Sequence, residues 1–331
     1  MKHGGDLTGA IARYGIAGEE WLDLSTGINP YAYPCPPEMP VEQAIRLPGQ
    51  DILKQLLETA RTCYAVPEGA SICAAPGTEI LIRIQAMLVD GPTTLLPTSY
   101  RSYREAWTNA GKEIRDAADA DLRSLDNGCN IALVNPNNPN GRVIGADRLL
   151  AWARSRTGPA CLIVDEAFAD VEPDCSIVPH LKPDDRVVVF RSFGKFYGLP
   201  GLRLGFAIGA TSLVEAIRAV LGDWPVSAAA LQAGITALGD LPWQVGMRRR
   251  LNNAAEELDG ILTTAGLEIA GGTALFRLVR HADATAIHDR LALAGIWVRR
   301  FNEKPDLLRF GLPGSAAAAR RLQTTLSTVT G

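Results

Sequence analysis

Five stretches of the chain carry side chains that could do chemistry: Pro76-Gly77-Thr78-Glu79, Asn137-Asn138-Pro139-Asn140-Gly141, Asp165-Glu166-Ala167-Phe168, Ser192-Phe193-Gly194-Lys195, and Arg203 eight residues further on. Each has a plain reading alone. Gly77-Thr78 opening a helix is an ordinary cap, although free amides and the helix dipole there also suit a phosphate. Asp165 after an apolar run can be a cap, half of a salt bridge or a metal ligand. A lysine between Gly194 and Phe196 is more often a snorkelling surface residue than a nucleophile. Asn138 between prolines reads as a turn residue.

Taken together, the five are what pyridoxal 5′-phosphate demands of a protein. Its phosphate dianion needs amides, hydroxyls and a guanidinium, which Gly77, Thr78, Glu79 (through its backbone), Ser192 and Arg203 can supply. Its ring nitrogen must stay protonated for the ring to accept electrons, which calls for a buried carboxylate, Asp165. Its phenolic oxygen needs a donor, the amide of Asn138. Its aldehyde needs an amine, Lys195, and an amine desolvated among ring and glycine neighbours titrates lower than a solvated one.

Such groups need strands to carry them. Short apolar runs read as buried strands at Thr93 to Leu96, Ile131 to Val134, Cys161 to Val164, Val187 to Phe190 and Leu204 to Ile208. Ile80, Leu81, Ile84, Met87 and Leu88 fall on one helical face directly after Gly77-Thr78. The alternation predicts an α/β fold whose ligand lies beyond the strand ends. Residues 1–40, rich in proline after Asn29, read as an N-terminal arm joining a small domain; 41–225 read as the large cofactor-binding domain. Residues 226–331 read as a linking helix, traced by Met247, Leu251, Ala254, Leu258 and Leu262, and a small C-terminal α+β domain with strands near Ala274 to Val279, Ile296 to Arg300 and Leu307 to Phe310.

Composition narrows the class. With 331 residues the chain exceeds the size of a single typical core, and 47% hydrophobic against 21% charged residues is a globular balance. The formal charge of −3 and the lone basic run Arg248-Arg249-Arg250, followed by Glu256-Glu257, give no nucleic-acid footprint. No signal peptide or spanning stretch is evident, so no membrane partner and a cytoplasmic location are expected. The six cysteines and four histidines lack zinc-site spacing, and no metal is predicted.

In order and spacing, these motifs resemble the fold-type I aminotransferase superfamily over almost the whole chain. Asn137-Asn138-Pro139-Asn140-Gly141 looks like the family's Asn-Pro-Thr-Gly segment, Asp165-Glu166-Ala167-Phe168 like its Asp-x-x-Tyr, and Ser192-Phe193-Gly194-Lys195 with Arg203 like its lysine signature. The resemblance implies a large, mostly parallel sheet domain with helices on both faces, a smaller α+β domain and a homodimer. It places Tyr103, with Tyr100 as rival, where a ring stacks on the cofactor, and Arg309 where the substrate α-carboxylate is held. Two departures stand out: Phe168 replaces a tyrosine that donates to the phenolic oxygen, and Leu47-Pro48 stands where relatives carry a tyrosine reaching the partner's cofactor.

Within the superfamily the chain is similar to the branch of histidinol-phosphate aminotransferases and threonine-phosphate decarboxylases of cobalamin synthesis. His3-Gly4-Gly5 followed by Asp23-Leu24-Ser25-Thr26-Gly27-Ile28-Asn29-Pro30 leans toward the decarboxylases. That likeness implies a small phosphorylated amino acid as substrate, with His3 and Arg299 near its phosphate and Asn29 near the substrate; tethering of the arm or a surface charge is the bland alternative for each. Decarboxylation of L-threonine O-3-phosphate is the expected reaction. Transamination between histidinol phosphate and 2-oxoglutarate is the alternative, since the same catalytic set supports both.

Overall fold

The computed structural model describes residues 4–15, 21–34, 45–96, 99–117, 128–156 and 158–329. Among them, twelve strands follow in chain order: β1 (Leu22–Leu24), β2 (Ser71–Ala75), β3 (Thr93–Leu95), β4 (Ile114–Asp116), β5 (Asn130–Val134), β6 (Leu162–Asp165), β7 (Val187–Ser192), β8 (Gly205–Gly209), β9 (Glu268–Thr273), β10 (Phe276–Arg280), β11 (Ile296–Arg300) and β12 (Leu307–Gly311). The chain divides into two compact units: residues 1–32, 139–141 and 244–331 form one, and 33–138 with 142–243 the other. Residues 226–243 thus go with the larger unit, and β1 pairs in parallel with β11 in the smaller.

The larger unit is built on a seven-stranded sheet of order β2-β8-β7-β6-β5-β3-β4. Its strands are parallel except β8, which runs antiparallel to both β2 and β7. All five residues of β5, all four of β6 and all six of β7 are buried, as apolar runs in a helix-covered parallel sheet must be. The helices Thr78–Leu88, Arg101–Asn109 and Thr211–Leu221 pack Leu81, Ile84, Tyr103, Trp107, Val214 and Ile217 against Val134, Ile163 and Phe190.

The smaller unit holds a five-stranded sheet of order β1-β11-β12-β10-β9. The helix Leu241–Thr264 buries Met247, Leu251, Leu258 and Leu262 as its periodicity predicts, but Ala255 rather than Ala254 faces inward. One short helix was not expected: Leu7–Tyr14, where Asp6 accepts from the Gly9 amide at 2.9 Å and Ala10 is buried beside Trp297. Its apolar residues, Leu7, Ala10, Ile11 and Tyr14, do fall at helical spacing.

Candidate active site

Strand register collects the chemical groups. In the parallel ladder Val134 lies beside Asp165 and Asp165 beside Phe190, while in the antiparallel pairs Ser192 and Ala75 each lie beside Gly205. The segments beginning at residues 76, 135, 166 and 193 therefore leave the sheet at one edge, the carboxyl ends of β2, β5, β6 and β7, where β8 begins. That is the edge at which open α/β sheets bind ligands.

An anion cradle forms at this edge. Gly77, with φ +86°, caps the helix Thr78–Leu88, and no side chain caps the first turn, so its amides point outward unclaimed by a cap. The Arg203 guanidinium packs against Gly77: a β-carbon there would meet its Nη2 at 2.5 Å. Arg203 itself takes a left-handed backbone, φ 55°, and its Nη1 donates to the Pro200 carbonyl at 3.0 Å. Gly205 lets β8 approach closely, since a β-carbon there would meet the Thr78 amide nitrogen at 2.9 Å. Glu79 turns its carboxylate aside, to Arg83 at 2.7 Å and the Tyr100 hydroxyl at 3.5 Å, leaving its backbone to the cradle. Ser192 is buried, and its hydroxyl makes no cap bond to the short helix Phe193–Phe196.

Beside the cradle stand the acid and the amine. Asp165 is 3% exposed and accepts from the Ala167 amide at 3.0 Å. Burial pushes its pKa up to about 6 against the opposing pull of that amide, the Tyr103 hydroxyl and the charge of Lys195. Lys195 is half-buried, its Nζ 5.9 Å from the centre of the Phe168 ring. Acid and amine thus share one electrostatic environment, as the motif reading requires. Asn138 is half-buried in the turn after β5. Asn135 braces that turn, accepting from the Ile144 amide at 2.7 Å and donating to the Ile144 carbonyl at 3.1 Å.

The two candidate stacking tyrosines sit in different surroundings. Tyr103 is 2% exposed and stacks one ring face on Trp107 at 5.8 Å. Its hydroxyl makes no hydrogen bond of ordinary length, yet it lies near enough to Asp165 to perturb that acid. Tyr100 is half-buried, and its hydroxyl reaches Glu79 at 3.5 Å. Both tyrosines pack against the same core cluster, Tyr103 fully buried in it and Tyr100 at its margin.

Beneath the site lies a buried ionic layer that sequence reasoning missed. Arg191 binds Glu166 at 2.9 Å and Asp170 at 2.8 Å, and its guanidinium covers the Tyr64 ring at 4.4 Å. Glu166 also accepts from Ser176 at 2.6 Å and the Ile177 amide at 2.8 Å. Because side chains alternate along strands, Arg191 and Glu166 point away from the neighbours Ser192 and Asp165 that face the site. Their adjacency to those residues was the available signal.

In the smaller unit, Arg309 is 7% exposed; its Nη2 donates to the Ser25 carbonyl at 2.9 Å and its guanidinium lies 5.0 Å from the Phe276 ring centre. Arg299 stands directly opposite Arg309 on the adjoining antiparallel strand. Like charges so placed cost stability alone and suit a ligand carrying negative charge. Asn29 is buried, its side-chain oxygen accepting from the Tyr31 amide at 2.8 Å. His3 lies outside the described residues.

The donor set fits pyridoxal phosphate: amides, a hydroxyl-bearing strand end and a guanidinium converge where glycines at 77 and 205 make room, with a carboxylate and an amine beside them. Among the described residues no helix is long and apolar enough to cross a membrane.

Residues 50–324 match the aminotransferase class I and II family. The chain is 38% identical to a threonine-phosphate decarboxylase of a Sinorhizobium species, covering 99% of this chain and 98% of that one. It is 38% identical to one of Pseudomonas aeruginosa, covering 98% and 97%. The fold superposes on a histidinol-phosphate aminotransferase of Sinorhizobium meliloti, solved in complex with pyridoxal-5′-phosphate, with a TM-score of 0.85 and 21% identity over 98% of this chain and 94% of that one.

Proposed function

Because the chain belongs to the aminotransferase class I and II family, we propose that it is a pyridoxal 5′-phosphate enzyme that decarboxylates L-threonine O-3-phosphate to (R)-1-aminopropan-2-ol O-2-phosphate in cobalamin synthesis. One observation carries the substrate: identity of 38% spread over nearly the full length of two threonine-phosphate decarboxylases.

When bound, pyridoxal phosphate supplies an electron-accepting ring that weakens whichever Cα bond stands perpendicular to it. The chain's residues do the rest. Gly77, Thr78, Glu79 through its backbone, Ser192 and Arg203 bind the cofactor phosphate; Tyr100 covers the ring; Asn138 donates to the phenolic oxygen. Asp165 keeps the proton on the ring nitrogen, and a carboxylate buried at 3% exposure gains most from that cation. Lys195 supplies the anchoring amine and, once displaced, is the base or acid available at Cα. Arg309 takes the substrate carboxylate, while Arg299 and His3 take its phosphate beside Asn29. Fixing both anionic ends would fix rotation about the Cα–N bond, and decarboxylation would require that this leave the bond to the carboxylate, not to hydrogen, perpendicular to the ring.

A homodimer completes the assignment. Ile45 and Leu47 are 71% and 68% exposed in the larger unit, apolar surface that a second copy would cover. With leucine at 47, the cofactor phosphate draws on this chain's own cradle rather than on a partner tyrosine.

Purified protein assayed with each phosphorylated substrate tests the proposal. Carbon dioxide released from threonine phosphate supports it; glutamate formed from histidinol phosphate and 2-oxoglutarate, with no carbon dioxide released from threonine phosphate, replaces it with the aminotransferase reading.

A further inference from the structure

Ser25 is 1% exposed and sits where two parts of the smaller unit meet. Its hydroxyl accepts from the Gly5 amide at 2.7 Å and donates to Asp23 Oδ1 at 2.6 Å, while its own amide donates to the same Asp23 oxygen at 2.8 Å. Its carbonyl accepts from Arg309 Nη2 at 2.9 Å. Gly4 packs on that same carbonyl so closely that a β-carbon there would meet the oxygen at 2.3 Å. Ser25 therefore holds Gly5 through its hydroxyl and the guanidinium of Arg309 through its carbonyl.

We propose that Ser25 is a positioning residue that couples docking of the chain's first residues to the aim of Arg309, and thereby sets affinity for the substrate's carboxylate. This rests on the assignment of Arg309 made above. The physical reason is geometric. A guanidinium binds a carboxylate well only in the bidentate plane, and Arg309 is held in its plane by the Ser25 carbonyl on one side and the Phe276 ring on another. The Ser25 peptide is in turn fixed by the two bonds to Asp23 and the bond from Gly5. Removing the hydroxyl leaves the Gly5 amide without that acceptor and lets the peptide rotate, so Arg309 loses its plane while keeping its charge.

The test uses the cofactor-loaded enzyme and two phosphorylated ligands, one bearing a carboxylate and the other an amine in its place. 3-Phosphooxybutyrate carries phosphate and carboxylate without an amine and cannot react; 1-aminopropan-2-ol O-phosphate carries phosphate without a carboxylate. By calorimetry, Ser25→Ala should weaken the first about 10-fold, the scale of one lost hydrogen bond, and leave the second within about twofold. Gly4→Ala, which keeps the hydroxyl but crowds the carbonyl, should show the same selectivity, and Asp23→Asn, which keeps an acceptor oxygen, should retain wild-type binding. Cofactor absorbance should match wild type in all three. Equal weakening of both ligands, or of neither, would overturn the proposal. If the wild-type enzyme instead transaminates histidinol phosphate, the functional reading falls separately. The selectivity of Ser25→Ala must then appear as weaker saturation by 2-oxoglutarate with saturation by histidinol phosphate, which has no carboxylate, unchanged; a change in both or neither overturns the proposal there too.

Discussion

The Arg203 guanidinium fills the space that a side chain at Gly77 would occupy, its Nη2 2.5 Å from where a β-carbon would stand. A cation and the first turn of a helix are thereby brought to one point with no side chain between them. The arrangement requires glycine twice over, for space and for a backbone at φ +86°. Gly77→Ala should displace Arg203, strain the turn by about 1–2 kcal/mol and weaken pyridoxal phosphate binding by about 10- to 100-fold. Fluorescence titration of cofactor into the stripped protein measures the change.

The buried acid predicts a stability that depends on pH with opposite signs in the two forms. Asp165 in the cofactor-free protein titrates at about 6 rather than 3.8, because burial disfavours its charge. A raised folded-state pKa costs nothing below the unfolded value; as pH climbs through 6 the cost grows toward roughly 3 kcal/mol. Urea unfolding of the stripped protein should therefore find Asp165→Asn more stable than wild type at pH 8, with the gap closing by about pH 4. With cofactor bound the carboxylate faces a protonated ring nitrogen, and wild type should become the more stable of the two at pH 8.

The two tyrosines should separate by phenotype. Tyr100→Ala removes the ring proposed to cover the cofactor and should reduce cofactor affinity with little loss of thermal stability. Tyr103→Ala opens a cavity beside Trp107 and should destabilise the fold by about 3–5 kcal/mol. Calorimetric melting with and without cofactor distinguishes them.

Arg191 neutralises Glu166 and Asp170 in the layer beneath the site. Arg191→Met strands two buried carboxylates and should cost about 3–5 kcal/mol. Its unfolding midpoint should recover as pH falls, because burial already raises the Glu166 pKa and protonating that carboxyl removes an uncompensated buried charge. A midpoint that does not move with pH would show that packing, not charge, is what the arginine supplies.

Local information made much of this protein legible. Apolar runs located β3 and β5 to β8 to within a residue or two, because strands buried on both faces must be continuously apolar. Gly77, Thr78, Asn138, Asp165, Ser192, Lys195 and Arg203 were named from residue type and spacing, since a cofactor's needs are few and chemically distinct. Strands β1, β2 and β4 do not stand out in the sequence: β1 and β4 are three residues each, and β2, Ser-Ile-Cys-Ala-Ala, is built mostly of small residues with no strong strand preference.

What sequence could not decide was which way a side chain points and what lies across from it. Tyr100 and Tyr103 differ by three positions, and only the fold shows that it is Tyr103 that stacks on Trp107. Arg299 and Arg309 are ten residues apart in the chain, and only strand register sets them opposite each other. Ser25 shows nothing of its link to Arg309, because that link is a backbone carbonyl, which every residue has and no pattern marks. Composition and spacing dictate which groups exist; the three-dimensional path of the chain alone determines which of them meet, because contact depends on direction and distance in space and not on separation along the polymer.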